Sequence, residues 1–459
     1  MHDYDAIIIG AGQSGPSLAR RLAAAGQRVA IVERKLFGGT CVNTGCTPTK
    51  TLVASAYAAH LARRARDYGV TIEGRVGVDM RAVKARKDAV VDASRRAVER
   101  SLKSLQGCTV YEGHARFCSA RTIAVGGAEL RSDRIFINVG GRATIPSVPG
   151  LDRAPYFTNS SMMDVDFVPP HLIILGGSYI GLEFAQIFRR FGSEVTVIEL
   201  APRLIPREDE DVSSAVSAFL DEEGIKVLLG SKVVAVERRG NRIAVKMTTS
   251  AGATAITLGT HLLVAIGRRP NTDDLGLDKA GVITDARGYI QVDDELKTNV
   301  PGIWAMGDCN GRGAFTHTSY NDFEIIAANL LDNEQRRVTD RIVAYALYTD
   351  PPLGRVGLTE DEVRRTGRSA LIATLAMEDV SRAYEKGETK GFMKILVDRD
   401  SAQILGASCL GLSGDEVVHA ILDLMYAKAP YTVMQRAVHI HPTVSEFIPT
   451  MLGDLKPLQ

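Results

Sequence analysis

Two stretches of the chain repeat one pattern of apolar and polar positions. Residues 7–34, IIIGAGQSGPSLARRLAAAGQRVAIVER, and residues 173–200, IILGGSYIGLEFAQIFRRFGSEVTVIEL, align without a gap. Each begins with an apolar run of strand length and passes through a glycine turn into a segment with helical spacing. That segment closes at Gly26 or Gly192, before a second apolar run ending in Glu33 or Glu199. The pattern predicts strand, turn, helix and strand, twice over. Residues 80–106 predict a further helix, basic and amphipathic, with Val83, Val90, Val98 and Leu105 as its packing positions. From about residue 341 the pattern changes to strand-like runs, RIVAYALY, GFMKILVD and ILGASCLG, with no further glycine turn, and a separate α+β domain is expected there.

The turns imply a chemistry. Gly10, Gly12 and Gly15 let the backbone approach a pyrophosphate, while the helix that follows offers free amides and the positive end of its dipole. Glu33 stands 23 positions after Gly10, and Glu199 the same distance after Gly176, close to where a carboxylate accepts ribose hydroxyls. Two such units imply two dinucleotides. The second turn, Gly176, Gly177, Ser178, Tyr179, Ile180, Gly181, departs from the first by placing serine at the middle position, where a close backbone approach favours glycine. Further along, TNVPGIWAMGD puts Asp308 after a short apolar strand and a glycine, a second carboxylate able to hold ribityl-type hydroxyls, or simply a strand-ending turn.

Cys41 and Cys46 lie in the run GGTCVNTGCTPTK. Five steps along a regular helix separate two Cα atoms by more than ~7 Å, beyond ordinary disulfide reach, so a bridge needs irregular backbone. Asn43 and Gly45 are expected to supply it, since both tolerate positive φ. Pro48 suits the first turn of a helix running through Lys50 and Leu52, which puts Cys46 at a helix start, where the dipole favours a thiolate. A zinc site would need a second short-spaced pair, and an iron-sulfur loop a third nearby cysteine. Neither is present. Two cysteines that merely pack would have no reason to share a loop rich in Gly, Thr and Asn, so flavin-linked disulfide redox chemistry is the expectation. His439 with His441 on a strand, and Glu416 with His419 on a helix, lack a third ligand, and no metal is expected.

Composition narrows the field. With 459 residues and 45% hydrophobic content the chain has room for two to four domains with real cores. The 55 basic and 54 acidic residues leave a net charge of +1, so no global field recruits nucleic acid or an anionic membrane. Arg63, Arg64 and Arg66 are expected on a solvated helix face. Six cysteines with one closely spaced pair point to a reducing compartment. The start, MHDYDAIIIGAG, carries acids where a signal peptide needs a basic region, and no apolar run is long enough to span a bilayer; a soluble, cytoplasmic protein is expected.

Taken together, these residues resemble the FAD-dependent pyridine nucleotide-disulfide oxidoreductases (class I), on the lipoamide dehydrogenase and mercuric reductase side. The resemblance rests on the first glycine turn with Glu33, GGTCVNTGCTPTK, GGSYIGLE, AIGRRPN at 265–271, AMGD at 305–308 and HPTVSE at 441–446. It implies an α/β fold with two Rossmann-like dinucleotide-binding domains, for FAD and NAD(P), plus a C-terminal α+β dimerisation domain. The corresponding boundaries are 1–149 and 270–340 for FAD, 150–269 for NAD(P), and 341–459 for the interface. It also implies a homodimer in which each active site borrows its acid-base pair from the other subunit.

By the same resemblance Cys46 is the thiol facing the flavin and Cys41 the one exchanging with substrate. Lys50 and Glu183 form the ion pair beside the flavin's reducible nitrogen, and Tyr179 is a lid displaced by nicotinamide. His441 is the base and Glu446 its orienting carboxylate. Thr40, Lys50, Gly140, Asp308 and Gly267 join Gly10, Gly12, Gly15, Glu33, Gly176, Gly181 and Glu199 as cofactor contacts. The implied activity is dihydrolipoamide dehydrogenase-like, passing electrons between NAD(P)H and a small or protein-bound disulfide. Glu199 points to NAD(H) over NADP(H), softened by Arg203. One alternative is mercuric reductase-like metal-ion reduction, which the lack of a vicinal cysteine pair in the 13 residues after Glu446 disfavours. The other is electron transfer from the flavin to quinones or oxygen.

Overall fold

The apolar run at residues 6–9 becomes a strand with no solvent on either face. In the computed structural model, which describes residues 1–458, Ala6–Ile9 is third in a five-stranded parallel sheet ordered 303–305, 135–137, 6–9, 29–33, 108–112. Helices and loops cover both faces of such a sheet, which is why the strand is a continuous apolar run rather than an alternation. The second stretch repeats the plan. His171–Leu175 pairs with Glu194–Ile198 on one side and His261–Val264 on the other, and Ile225–Leu228 completes a four-stranded parallel sheet. Even the register corresponds: Ile7 faces Ala30 and Ile135, and Ile173 faces Thr196 and Leu262.

The third region is built on a six-stranded sheet ordered 344–347, 353–357, 404–410, 392–398, 370–376, 456–457, antiparallel throughout, with the helix Gly414–Tyr426 against it. It is not a detached module. Leu347, Leu353 and Leu410 are fully buried in the same apolar cluster as Leu182, Phe184 and Ile187 of the helix Tyr179–Phe191. That junction also buries Arg355 and Lys394, each 1% exposed.

Two expectations about the helices need correction. The helix Met80–Lys103 packs through Val83 and Val98, but Val90 is 38% exposed and Val91 takes the inner position. At about 100° per residue the buried Met80, Lys87, Val91 and Leu102 share one face with Val98; Val83 lies at the edge of that face, and Val90, about 20° further round, falls outside it. Nor is Arg64 a solvated charge: it donates to Glu388 Oε1 at 2.8 Å and to the Gly387 carbonyl at 2.9 Å, while Arg63 donates to the Arg190 carbonyl. The two Arg64 contacts fasten the end of the cysteine-bearing helix to its neighbours, while Arg63 and Arg66 stay on the solvent face as expected. Among the described residues no helix is long and apolar enough to cross a membrane.

Candidate active site

Both glycine turns are dictated by sterics. Gly10 adopts φ +107°, and a Cβ there would lie 2.2 Å from the Asn138 carbonyl oxygen; at Gly176, φ +110°, a Cβ would lie 2.5 Å from that of Ala265. The helices that follow, Gly15–Ala24 and Tyr179–Phe191, begin without a side-chain cap; in the second the first-turn amides are free for an anion, whereas in the first Gly15 donates to Asn138, Pro16 has no N–H, and Ser17 is left to offer one. Glu33 accepts from the Ala11 amide at 2.9 Å and the Lys35 amide at 2.8 Å, and Glu199 accepts from the amides of Gly177 and Ala201 in the same way. Each carboxylate is thereby fixed at its strand end, half-buried. The Ser178 hydroxyl has no protein partner among the described residues. Uncapped helix starts, turns closed to a Cβ and an oriented carboxylate are the features a dinucleotide requires, and the chain supplies them twice.

The cysteines are brought together by a break between two helices. Gly39–Thr44 and Cys46–Arg63 are separated only by Gly45, at φ −130° and ψ −119°. The irregularity is therefore not the positive φ expected at Asn43 and Gly45. Asn43 is helical, with its side-chain amide donating to the Phe37 and Gly39 carbonyls, and Gly45 is required because a Cβ would sit 2.8 Å from the Thr40 carbonyl oxygen. The positive φ values fall earlier, at Gly38 and Gly39.

Both cysteines are free thiols, and they are not equivalent. Cys46 Sγ is 3.3 Å from the Thr316 hydroxyl, at the first residue of the helix Thr316–Leu331. The hydrogen bond from Cys41, helped by Thr316 and the Lys50 charge against the opposing effect of burial, lowers the Cys46 pKa to about 6. The same hydrogen bond, with burial, pushes the Cys41 thiol strongly upward. The two shifts run in opposite directions and favour the thiolate at Cys46 and the protonated thiol at Cys41.

Lys50, one turn into the cysteine helix, holds Glu183 from the second unit with Nζ–Oε distances of 2.8 and 2.9 Å. Glu183 is buried and also accepts from the Tyr348 amide at 3.1 Å, and Lys50 Nζ lies 4.4 Å from the centre of the Tyr348 ring. Removing Lys50 would strand the buried Glu183 carboxylate, at a cost of up to about 3–5 kcal/mol, whereas Lys50, one-third exposed, would keep part of its hydration if Glu183 were removed. Tyr179, the first residue of its helix, donates to Glu208 Oε1 at 3.1 Å. Asp308 is half-buried behind Gly307, its pKa raised by burial against the pull of Arg268, whose Nε is 3.5 Å away. Gly140 (φ +62°) and Gly267 (φ +127°) have open space on their Cβ sides, and Thr40 is half-buried beside Cys41.

His441 and Glu446 form a pair, Nδ1 to Oε2 at 3.0 Å. Among the described residues the imidazole has no other partner, and its side chain is 73% exposed. Val438 and Ile440 beside it are exposed almost completely, at 101% and 80%. Residues 438–440 carry no strand, so His439 and His441 are not the metal pair on a strand that was considered. Among the described residues the one carboxylate group spaced for a cation, Asp209, Asp211 and Glu360, already contacts Lys394 Nζ.

Sequence reasoning missed three contributors. Thr316 lies outside the motifs, and only the helix start that aims its hydroxyl at Cys46 reveals it. Asn138 receives the Gly15 amide at 3.2 Å and donates to the Met306 carbonyl at 3.2 Å, joining the turn to the AMGD segment. Glu208, in a run of charged residues that reads as surface, is 1% exposed.

Residues 4–322 match the family described as pyridine nucleotide-disulphide oxidoreductase, and residues 343–452 match its dimerisation domain. The chain belongs to this family; it is a flavin-dependent pyridine nucleotide-disulfide oxidoreductase, and an enzyme. Among its relatives is RclA of Escherichia coli (strain K12), described as a probable pyridine nucleotide-disulfide oxidoreductase, 35% identical over 99% of this chain and 100% of RclA. The mercuric reductase of Streptomyces lividans is 33% identical over 96% of this chain and 94% of its own length. For the dihydrolipoyl dehydrogenase of Chlamydia muridarum the figures are 31%, 96% and 95%. The solved structure of RclA, titled an HOCl-induced flavoprotein disulfide reductase, superposes with TM-score 0.90 at 34% identity, covering 99% of this chain and 100% of that one. A Cu(II) complex of RclA matches equally, with TM-score 0.90.

Proposed function

We propose that the enzyme takes two electrons from NADH and delivers them through Cys46 and Cys41 to a disulfide, as a homodimer with shared active sites. FAD would be held by the turn Gly10, Gly12, Gly15 with Glu33, Thr40, Lys50, Gly140 and Asp308, within the segments 1–149 and 270–340. NAD(H) would be held by Gly176, Gly181, Glu199 and Gly267, within 150–269. When bound, the flavin carries a two-electron equivalent from the reduced nicotinamide to the thiol pair. The observation that carries this reading is the placement of the two thiols: Cys46 opens its helix with Sγ 3.3 Å from the Thr316 hydroxyl, which helps the Cys41 hydrogen bond to lower its pKa, while Cys41 lies in the preceding helix with its pKa raised by the hydrogen bond to Cys46 and by burial.

That asymmetry sets the roles. Cys41 must lose its proton to attack a substrate disulfide, and an imidazole with a pKa near neutrality is the side chain to take it. Attack by Cys41 forms a mixed disulfide and releases the first product thiol, which takes the proton back from the imidazolium. The Cys46 thiolate then attacks Cys41 Sγ, closing the Cys41–Cys46 disulfide and releasing the second product as a thiolate, which takes its proton from solvent. The two electrons stored as a dithiol have then left with the product. His441, exposed and oriented by Glu446 through Nδ1, would serve the partner subunit's cysteines, and dimer formation would cover Val438 and Ile440.

The test is complementation. Cys46→Ser and His441→Ala homodimers are each expected to lose thiol exchange, the histidine variant by about 10²- to 10⁴-fold. Mixed dimers should recover part of the activity, since one of their two sites keeps both groups. Purified heterodimers without activity would place the base in the same subunit as its cysteines.

A second substrate class is a soft metal ion. The mercuric reductase relatives and the Cu(II) complex of RclA favour it, and a thiolate beside a thiol is a soft ligand set. A panel of disulfides, Cu(II) and Hg(II), monitored by NADH consumption, ranks the classes by kcat/KM.

A further inference from the structure

The carboxylate of Glu208 is completely buried, although neither electron transfer nor thiol exchange uses it. Four hydrogen bonds converge on it. Arg355 fills Oε2 through Nε at 3.0 Å and a terminal nitrogen at 2.7 Å, and the Tyr345 hydroxyl donates to Oε1 at 2.7 Å. The Tyr179 hydroxyl donates to the same Oε1 at 3.1 Å, the longest of the four. Arg355 is itself fixed by Asp209 at 2.9 Å, and Asp209 by Lys394 at 3.0 Å, so the C-terminal sheet holds the carboxylate in place. The Tyr179 ring stands edge-on to Tyr345 at 5.6 Å and to Phe315 at 6.5 Å, and Phe315 precedes the threonine that touches Cys46.

We propose that Glu208 is a positioning residue that latches Tyr179 in its closed place and so sets how readily nicotinamide gains access. The inference rests on the reading of Tyr179 as a lid. The arrangement suits a latch rather than a structural tie. When the Tyr179 bond breaks, Glu208 keeps the Arg355 guanidinium and the Tyr345 hydroxyl, so no buried charge is stranded. The tyrosine is half-buried, and its hydroxyl regains water once the ring swings out. Because the support belongs to a buried ion network, the acceptor stays in register while the lid moves. A ligand that binds only the open state has an apparent dissociation constant equal to the intrinsic one divided by the open fraction, so a weaker latch means tighter apparent binding.

The experiment uses the flavin-loaded enzyme. Tyr179→Phe keeps the ring and removes only the latch. Calorimetric titration with tetrahydro-NADH, an analogue that cannot donate hydride, should show the dissociation constant falling about tenfold, equivalent to about 1.4 kcal/mol. Rapid mixing with limiting NADH should show flavin reduction accelerated by a similar factor. Tyr345→Phe leaves Tyr179 as the sole hydroxyl on Oε1 and should not tighten binding. A dissociation constant within twofold of wild type in Tyr179→Phe, or an equal tightening in Tyr345→Phe, overturns the latch. Tyr179→Ala separates this failure from that of the lid itself. If removing the ring raises acrylamide quenching of flavin fluorescence while Tyr179→Phe changes nothing, the lid stands and the latch falls. If Tyr179→Ala leaves quenching unchanged, Tyr179 covers no flavin and both readings fall.

Discussion

The two glycine-turn units share a frame and differ in how they are closed. Each turns on a glycine at φ near 110°, each fixes its acid on two backbone amides, and each accepts one amide from a following loop, Gly38 onto Ala11 and Ile205 onto Gly177. Beyond those features the first unit is stitched down. Gln13 donates to the Gly38 carbonyl at 3.0 Å, and the buried Ser14 hydroxyl donates to the Ser319 carbonyl at 2.6 Å. At the corresponding places the second unit has Tyr179, held through one hydroxyl, and Ile180, with the unpartnered hydroxyl of Ser178 just before them. On the proposed function, one backbone plan serves a ligand that stays and a ligand that comes and goes, and the units differ at the side chains of residues 178–180 against those of 12–14.

The largest break in this comparison is expected at Gly10. Alanine there meets the Asn138 carbonyl at 2.2 Å with no flexible atom to yield, in a conformation that alanine avoids. Gly10→Ala should cost more than about 4 kcal/mol and purify without flavin, judged by absorbance near 450 nm per chain. Gly177→Ala probes the second unit at the position where the first already carries Ala11. Its Cβ meets the Leu204 methyl at 2.6 Å, an atom that can shift, so flavin content should stay at wild type while KM for the pyridine nucleotide rises. Equal flavin loss in both would erase the distinction between resident and exchanging sites.

Lys50 joins the two units through Glu183, and it also tunes the thiolate. The sign is set by charge. A cation near Cys46 favours the thiolate and lowers its pKa, so Lys50→Met should raise it. In the reduced enzyme, iodoacetamide alkylation of Cys46 should rise through an inflection near pH 6 and level off above it. In Lys50→Met the inflection should move up by about one to two pH units, as expected for a unit charge a few ångströms away at intermediate dielectric. An unmoved inflection would leave Thr316 and Cys41 as the groups that hold the thiolate down.

How much of this was legible beforehand follows from where the physics is local. The repeated strand, turn and helix could be read because glycine spacing, apolar runs and a terminal acid are properties of a thirty-residue window. The Cys46 helix start was legible for the same reason, through Pro48. The backbone break between the cysteines was not, because the constraint on Gly45 is the Thr40 carbonyl folding back on it, not the sign of φ. Glu208 looked like surface because its neighbours in sequence are charged. Its burial is imposed by Arg355 and Tyr345, about 140 residues away. Thr316 belongs to the same class, since its partner lies 270 positions off.

The finest probe of the comparison is the pair of acids. Glu33 and Glu199 make matching amide contacts, so alanine at either should disturb the turn alike, and the difference between the two variants isolates what each carboxylate does for its ligand. Glu199 sits where it would accept both ribose hydroxyls and repel a 2′-phosphate. Arg203, four residues on and donating to the Pro206 carbonyl, offers partial compensation from a half-buried position. Repulsion between charges a few ångströms apart at a half-exposed site is worth about 1–2 kcal/mol. Wild-type enzyme should therefore favour NADH over NADPH by about tenfold in kcat/KM, and Glu199→Ala should shrink that ratio severalfold at the same ionic strength. Glu33→Ala should leave the ratio unchanged and instead speed flavin loss on dilution. A wild-type preference for NADPH would show that Arg203 outweighs Glu199, and the second unit would then be read by its loop rather than by its strand end.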